Sequence, residues 1–376
     1  MKIGIFTLPL HTNYGGILQA YALQTVLERM GHEVVVFNKK TKLPILPSYK
    51  KPLYYSVRFI KKILLNPHTI VRRETIAKNE YPIVSQYTQR FINKYIHCYW
   101  INGIQDIEKA DINAMVVGSD QIWRPRYFSR MWQSDLANAF LAFTERWGIK
   151  RYAYAASFGV SEWEYPQAIN KSLREAARRF NAISVREKSG IDLCRDFLGV
   201  YAVQVLDPTM LLAREDYLKL VEDARQPLSA GDLFCYILDS TPEIEGLVAR
   251  IAREKQLIPF HVKAERMERT NTIEERTHKP VEAWIRGFYD AKFVVTDSFH
   301  ACVFSILFGK PFIVVGNKER GLSRFSSLLD MFSLSDNMIA SVAEYDPEKM
   351  YGVPQETIRI MDNLRQVSLS FVNQIK

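Results

Sequence analysis

The sequence predicts an α/β protein of two doubly wound parallel-sheet domains. Three observations predict it. Short β-branched or aromatic runs alternate with segments of 3.6-residue apolar spacing along most of the chain, the pattern of a parallel sheet with crossover helices. That alternation pauses once, at "LDPTMLLAREDY", and then restarts. With 376 residues the chain exceeds what one hydrophobic core supports, so two domains of roughly 150 to 200 residues each are expected.

In order, "KIGIFTL" reads as a strand, "ILQAYALQTVLERMG" as a helix closing on Gly31, and "HEVVVFN" as a second strand. Together they make a βαβ unit, with a right-handed crossover expected. "INAMVVGS", "RYAYAAS", "AISVRE" and "AVQVLD" read as further strands, with "YPQAINKSLREAARRF" and "KSGIDLCRDFL" as helices among them. The second series runs "LFCYILD", "PEIEGLVARIAREKQ", "IPFHV", "VEAWIRGFYDA", "KFVVTDS", "FHACVFSILFG" and "PFIVVG", strand and helix in turn. The expected division is a first domain over 1–208, a second over 209–345, and an amphipathic helix over 346–376 packing back across the pair. No internal repeat or low-complexity tract interrupts it.

A composition of 47% hydrophobic and 24% charged residues excludes a disordered chain. Four dispersed cysteines, with no CxxC pair, exclude a disulfide scaffold and fit a reducing cytosol. No apolar run reaches the roughly 18 to 20 residues of a spanning helix, and the N-terminal run, broken by "HTNYGG", reads as a strand rather than a leader. A soluble, cytoplasmic protein is expected. The seven histidines show no ligand spacing, so no metal site is expected. Neither GxGxxG nor GxxxxGK[ST] occurs, which leaves nucleotide binding of those kinds unsupported.

The net charge of +9 is concentrated. Residues 39–100 carry 13 Lys or Arg against Glu74 and Glu80, more than the whole excess. This basic, mostly helical insert interleaves its charges with Tyr, Phe, Leu and Ile. Nucleic acid, an anionic membrane surface, or simply a solvated face on a helical hairpin are the readings, the last the most economical.

In open α/β sheets ligands lie beyond the carboxyl ends of strands, or between two such domains, so the turns after strands are the informative places. In "NYGGILQ", Asn13, Tyr14, Gly15 and Gly16 open a helix, where orphan N–H groups favour an anion. The glycine pair admits either a ligand against the backbone or a tight turn with close packing. In "VVGSDQIW", Asp120, flanked by Ser119 and Gln121, is a candidate general base or a helix N-cap. "SFG" adds Ser157. Arg186 in "SVREKSG" presents a planar fork for carboxylate or phosphate, or pairs with Glu187. In "VVTDSFHACVF", His300 stands in the first turn of an apolar helix behind Asp297 and Ser298, which are placed to cap it. Arg320 and Arg324 in "NKERGLSRF" are further candidates for an anion.

Taken together, "NYGGILQAYALQ", "VVGSDQIW", "AASFG", "SVREKSG", "VLDPTMLL" and "VVTDSFHACVFSILFGKPFI" resemble, in order, the polysaccharide pyruvyl transferase family. The resemblance implies a GT-B-like pair of Rossmann-type domains. It also implies phosphoenolpyruvate as donor, no cofactor, and a saccharide acceptor on which pyruvate is set as a cyclic ketal with release of phosphate. By that likeness Arg186 contacts the donor's anionic groups and His300 is the histidine of an Arg-x-His or Ser-x-His site. Some members carry arginine where this chain has Ser298, which leaves Arg320 or Arg324 to substitute, or a donor bound differently. Asp120 is then the base that activates a sugar hydroxyl. The rival readings are a glycosyltransferase of the same fold using a nucleotide sugar and a non-catalytic glycan-binding relative. With a lipid-linked acceptor, the basic insert would rest on the inner face of an anionic membrane.

Overall fold

The computed structural model describes residues 1–40, 47–67, 69–265, 271–316 and 322–376. Seven strands, β1 (Lys2–Phe6), β2 (Glu33–Lys39), β3 (Cys98–Ile101), β4 (Ala114–Val117), β5 (Lys150–Ala156), β6 (Ala182–Val185) and β7 (Val203–Gln204), form a parallel sheet in the order 3-2-1-4-5-6-7. β1 pairs with β2 on one side and β4 on the other, so the strand order reverses there. Five more, β8 (Leu233–Tyr236), β9 (Pro259–Phe260), β10 (Phe293–Thr296), β11 (Phe312–Val315) and β12 (Met338–Ile339), form a second parallel sheet in the order 12-11-10-8-9. Its reversal lies between β8 and β10. The two orders are the two common doubly wound arrangements, and each has its switch point where a ligand crevice is expected.

Why these segments are strands is plain from burial. "AMVV", "LFCY", "FVVT" and "FIVV" are buried at every position, as a parallel sheet covered on both faces requires. The helix Phe299–Leu307, apolar almost all round, is likewise buried at every residue. One continuous core runs from β1 and the helix Tyr14–Arg29 through to Phe234, Trp284 and Phe304 of the second sheet's domain.

The chain crosses between the sheets twice. It leaves the first after β7 and returns in the helix Gln355–Val372, where Arg365 Nε donates to the Met210 carbonyl at 2.8 Å and Ser368 Oγ accepts from Leu206 N–H at 3.0 Å. Side-chain struts reinforce the junction. Tyr14 stacks on Trp284 with centroids 5.8 Å apart, and its hydroxyl donates to the Lys279 carbonyl at 2.9 Å. Arg29 pairs in bidentate fashion with Asp216.

Residues 47–95 hold three helices, Lys51–Leu64, Arg73–Val84 and Gln86–Tyr95. The second and third reach the other domain, through Glu80 with Arg276 at 2.6 Å and Arg90 with Glu282 at 3.3 Å. The sequence reading gave the basic insert out to residue 100. Its end differs: Cys98–Ile101 is a sheet strand beside β2, held by ladder hydrogen bonds despite half-exposed side chains at the sheet edge.

Candidate active site

Both switch points open into one cleft of about 340 Å³. From the first domain come the turn after β1, including His11, Thr12, Asn13 and Gly16, and the turn after β4, with Asp120 and Gln121. From the second come Leu238 after β8 and Asp297, Ser298, Phe299 and His300 after β10, with Arg324. The helices Tyr14–Arg29 and Phe299–Leu307 both begin at this cleft. Neither N-cap residue, Asn13 or Ser298, makes a side-chain capping bond. Orphan N–H groups and the positive ends of two helix dipoles therefore meet the same space.

Gly118 and Asp120 set the turn after β4. Gly118 has φ 127°, and a Cβ on it would fall 2.1 Å from the Tyr154 carbonyl oxygen, so no other residue fits. Asp120 sits in the left-handed region at φ 52°, which Asp tolerates better than most residues. It lines the cleft but is only 7% exposed. Ser119 beside it is fully buried, its N–H given to Gln19 Oε1 at 3.1 Å. Gln121 Oε1 accepts from Arg124.

Beneath the cleft lies a layer of buried charge. Asp207 Oδ1 accepts from the Thr209 N–H and hydroxyl at 3.1 and 2.7 Å. Its Oδ2 faces Arg186 Nη1 at 2.9 Å, Ser119 Oγ at 3.4 Å and His300 Nε2 at 3.6 Å. Arg186 also lies 3.8 Å from Asp120 and 3.7 Å from Glu187, and Glu187 accepts from Ser157 Oγ. Burial alone would raise the Asp207 carboxyl, yet the His300 ring and the Arg186 guanidinium together hold it well below the usual carboxylate range. Burial likewise opposes the Arg186 charge, and Glu187, Asp207 and Asp120 more than restore it. These charges are tolerable in the interior because they face one another.

The sequence-predicted residues thus divide. Asn13, Gly16, Asp120, Gln121, Asp297, Ser298, His300 and Arg324 line the cleft. Arg186, read as a donor clamp or a partner of Glu187, does not; it is 4% exposed and faces the carboxylates of Asp207, Glu187 and Asp120. Ser119 and Ser157 belong to that layer too. Tyr14 is the interdomain strut. Gly15 contacts no cleft either: a Cβ there would fall 2.1 Å from His300 Nδ1, so its bare backbone makes room for the imidazole. Asp297 lines the cleft, one residue before the helix N-cap Ser298; its carboxylate accepts from Leu238 and Asp239 N–H at 2.6 and 2.9 Å, bracing the second switch point. Arg320 lies outside the described residues.

Arg324 is the arginine at the cleft wall. Burial, then the neighbouring Arg186, bring its pKa down to about 10 against the pull of Glu187 and Asp120. The Phe299 ring neighbours both guanidiniums, its centroid 4.2 Å from Arg186 and 5.3 Å from Arg324. Sequence reasoning did not single out Asp207, at the end of the "AVQVLD" run where the alternation pauses; the "LDPT" run after a strand was its only signal. It did offer Glu187 as a partner of Arg186, though on the surface rather than buried, and it passed over Phe299. Among the described residues no group of His, Cys, Asp and Glu is placed to hold a metal ion.

Fold and cleft together define a two-domain α/β protein with a cleft between facing switch points, lined by Asp120, His300 and Arg324. The chain belongs to the polysaccharide pyruvyl transferase family, whose sequence pattern matches residues 13–319. The family is one of transferases acting in polysaccharide biosynthesis. None of the curated proteins matches the chain. Among solved structures it is similar to Arabidopsis thaliana UGT89C1 complexed with UDP-L-rhamnose, at 10% identity and a TM-score of 0.48 over 98% of this chain and 94% of that one. It is also similar to the UDP-GlcNAc 2-epimerase from Neisseria meningitidis bound to UDP-GlcNAc, at 10% identity and 0.46 over the whole of both chains. A glycosyltransferase from Rickettsia africae gives 12% identity and 0.41, over 100% and 98%.

Proposed function

We propose that the protein moves pyruvate from phosphoenolpyruvate onto two hydroxyls of a saccharide as a cyclic ketal, releasing phosphate. The observation that carries this reading is the cleft itself. Two uncapped helix N-termini and Arg324 converge on it, and Asp120 and His300 stand in its wall. Phosphoenolpyruvate carries a carboxylate and a phosphate, the groups that helix N-termini and guanidinium forks bind. An anion in the cleft would relieve the repulsion between Arg324 and Arg186.

The proton count defines the acid–base work. The two acceptor hydroxyls give up two protons; the enol methylene takes one to become a methyl group, and the departing phosphate takes the other. Each hydroxyl oxygen forms a bond to the central carbon, and the carbon–oxygen bond to phosphate breaks. In this reading Asp120 takes the proton of the attacking hydroxyl and His300 delivers a proton to the methylene or to phosphate. Asp207, which stays ionised, faces His300 Nε2 from behind at 3.6 Å and supplies the negative charge beside the ring. Arg186 is a positioning residue that fixes Asp207 and Asp120, and Arg324 holds the donor.

Thermal unfolding with phosphoenolpyruvate, UDP and inorganic phosphate tests the donor, because a ligand that binds the folded state raises apparent stability. Phosphoenolpyruvate should raise the midpoint, and Arg324→Ala should abolish the rise. A rise with UDP alone would replace this reading with a nucleotide-sugar glycosyltransferase.

A further inference from the structure

The helix Lys51–Leu64 is turned inside out. Its partly covered positions are Lys51, Tyr55, Arg58 and Lys62, spaced i, i+4, i+7 and i+11, so the polar stripe faces the protein. Arg58 makes a bidentate pair with Glu74 at 2.7 Å, and the Tyr55 hydroxyl lies 3.4 Å from Thr75 Oγ1. The apolar stripe, Leu53, Val57, Ile60 and Leu64, repeats the same spacing on the outer side, where each residue is 54–73% exposed. No residue of this helix is buried. Amphipathic helices of globular proteins do the reverse, and an ordered, contiguous apolar stripe facing water marks an interaction surface.

Charge decides the partner. Lys50, Lys51, Lys61 and Lys62 lie on this helix or at its start, and Arg72, Arg73 and Lys78 follow on the next segment, with Glu74 and Glu80 as the acids there. Arg58 and Arg276 already engage those two carboxylates. A second copy of the chain would set this excess of positive charge against itself. An anionic lipid surface instead accepts the apolar stripe among its acyl chains, while the lysines reach back to the headgroups. Among the described residues no helix is long and apolar enough to cross a membrane, so contact of this kind would be in the plane of the interface.

We propose that the outer face of the Lys51–Leu64 helix docks the protein on an anionic bilayer, with Leu53, Val57, Ile60 and Leu64 inserted at the headgroup boundary. The inference does not rest on the donor reading, since it involves neither the cleft nor its residues.

Co-sedimentation of the full chain with vesicles of phosphatidylcholine containing phosphatidylglycerol, against phosphatidylcholine alone, tests it. The protein should pellet with the anionic vesicles, and added salt should weaken this. The double variant Val57→Glu, Ile60→Glu, whose sites are exposed, should keep the native unfolding midpoint and lose partitioning by roughly tenfold or more. Lys61→Gln should weaken partitioning to anionic vesicles by roughly fivefold. A wild-type protein that stays in the supernatant, or a double variant that pellets equally well, overturns the proposal. So does a concentration-dependent dimer that the double variant abolishes without any vesicle binding, which would assign the stripe to a second copy.

Discussion

Replacing Gly15 with alanine puts one methyl carbon where the imidazole of His300 already lies. Built on the existing backbone, that carbon falls 2.1 Å from Nδ1, 2.2 Å from Cγ and 2.7 Å from Cβ of His300. Carbon contacts settle at about 3.5 Å, so the ring must retreat by roughly 1.4 Å. Because its own Cβ is crowded too, rotation about the side chain does not suffice. Behind the ring stand Asp207 and the Phe299 ring, 5.4 Å from it between centroids. Overpacking of this kind costs about 1–3 kcal/mol, and the helix gains back about 1 kcal/mol from the exchange of glycine for alanine. The net loss of stability should therefore be small, about 0–2 kcal/mol, while a displacement of a catalytic group by about 1 Å costs on the order of a hundredfold in rate. Gly15→Ala should unfold within a few degrees of the parent and lose most of its kcat/KM for pyruvyl transfer. Gly16→Ala is the control for stability: the atoms nearest its Cβ belong to the flexible Asn13 side chain, from 3.3 Å, so it should unfold close to the parent. A second readout needs no activity. If the clash is with the imidazole, Gly15→Ala made in a His300→Ala background should cost clearly less stability than in the parent, the remainder being the contact with the retained Cβ of residue 300 at 2.7 Å. Equal destabilisation in both backgrounds, or full activity in Gly15→Ala, would refute the reasoning.

Other expectations follow from the buried layer and the junction. Asp207→Asn leaves the Arg186 guanidinium without its nearest counter-charge and should lower the unfolding free energy in denaturant by about 3–5 kcal/mol. The Asp207 carboxyl is held below its unfolded value, so its stabilisation is complete above the ordinary carboxylate pKa of about 4 and drains away as pH falls further. The variant should therefore show a flatter acid limb in a stability–pH profile, and an unchanged limb would remove Asp207 from that role. Tyr14→Phe deletes the hydrogen bond to the Lys279 carbonyl and should cost about 1 kcal/mol in the same assay.

How much of this could be read beforehand depended on where the physics is local. "FVVT" and "FHACVFSIL" announce themselves as buried strand and buried helix because burial on all sides demands unbroken apolar runs. "CYWI" did not, since an edge strand with half-exposed side chains looks like the tail of the basic segment before it, and Met338–Ile339, unlike the equally short Val203–Gln204 and Pro259–Phe260, lacks a longer apolar run around it to mark it. The turns after strands were the right places to look. What no turn could reveal was which side chains face each other across them. Arg186 looked like a clamp because its partner Asp207 arrives by way of β7, and Gly15 looked like a ligand contact because His300 comes from the other domain. Charge pairing and close packing between distant segments are properties of the assembled fold.

The second passage of the chain between the sheets has a mechanical meaning. Two bodies joined by a single strand can swivel about it in any direction, whereas two separate tethers leave one easy motion, a rocking about the line that joins them. The tethers here are the segment after β7 and the helix Gln355–Val372, and they lie against each other through Arg365 with Met210 and Ser368 with Leu206. The opposing cleft walls, Asp120 on one body and His300 with Arg324 on the other, would then approach and part along a single arc. Such a joint would return the two walls of the cleft to one register each time they approach.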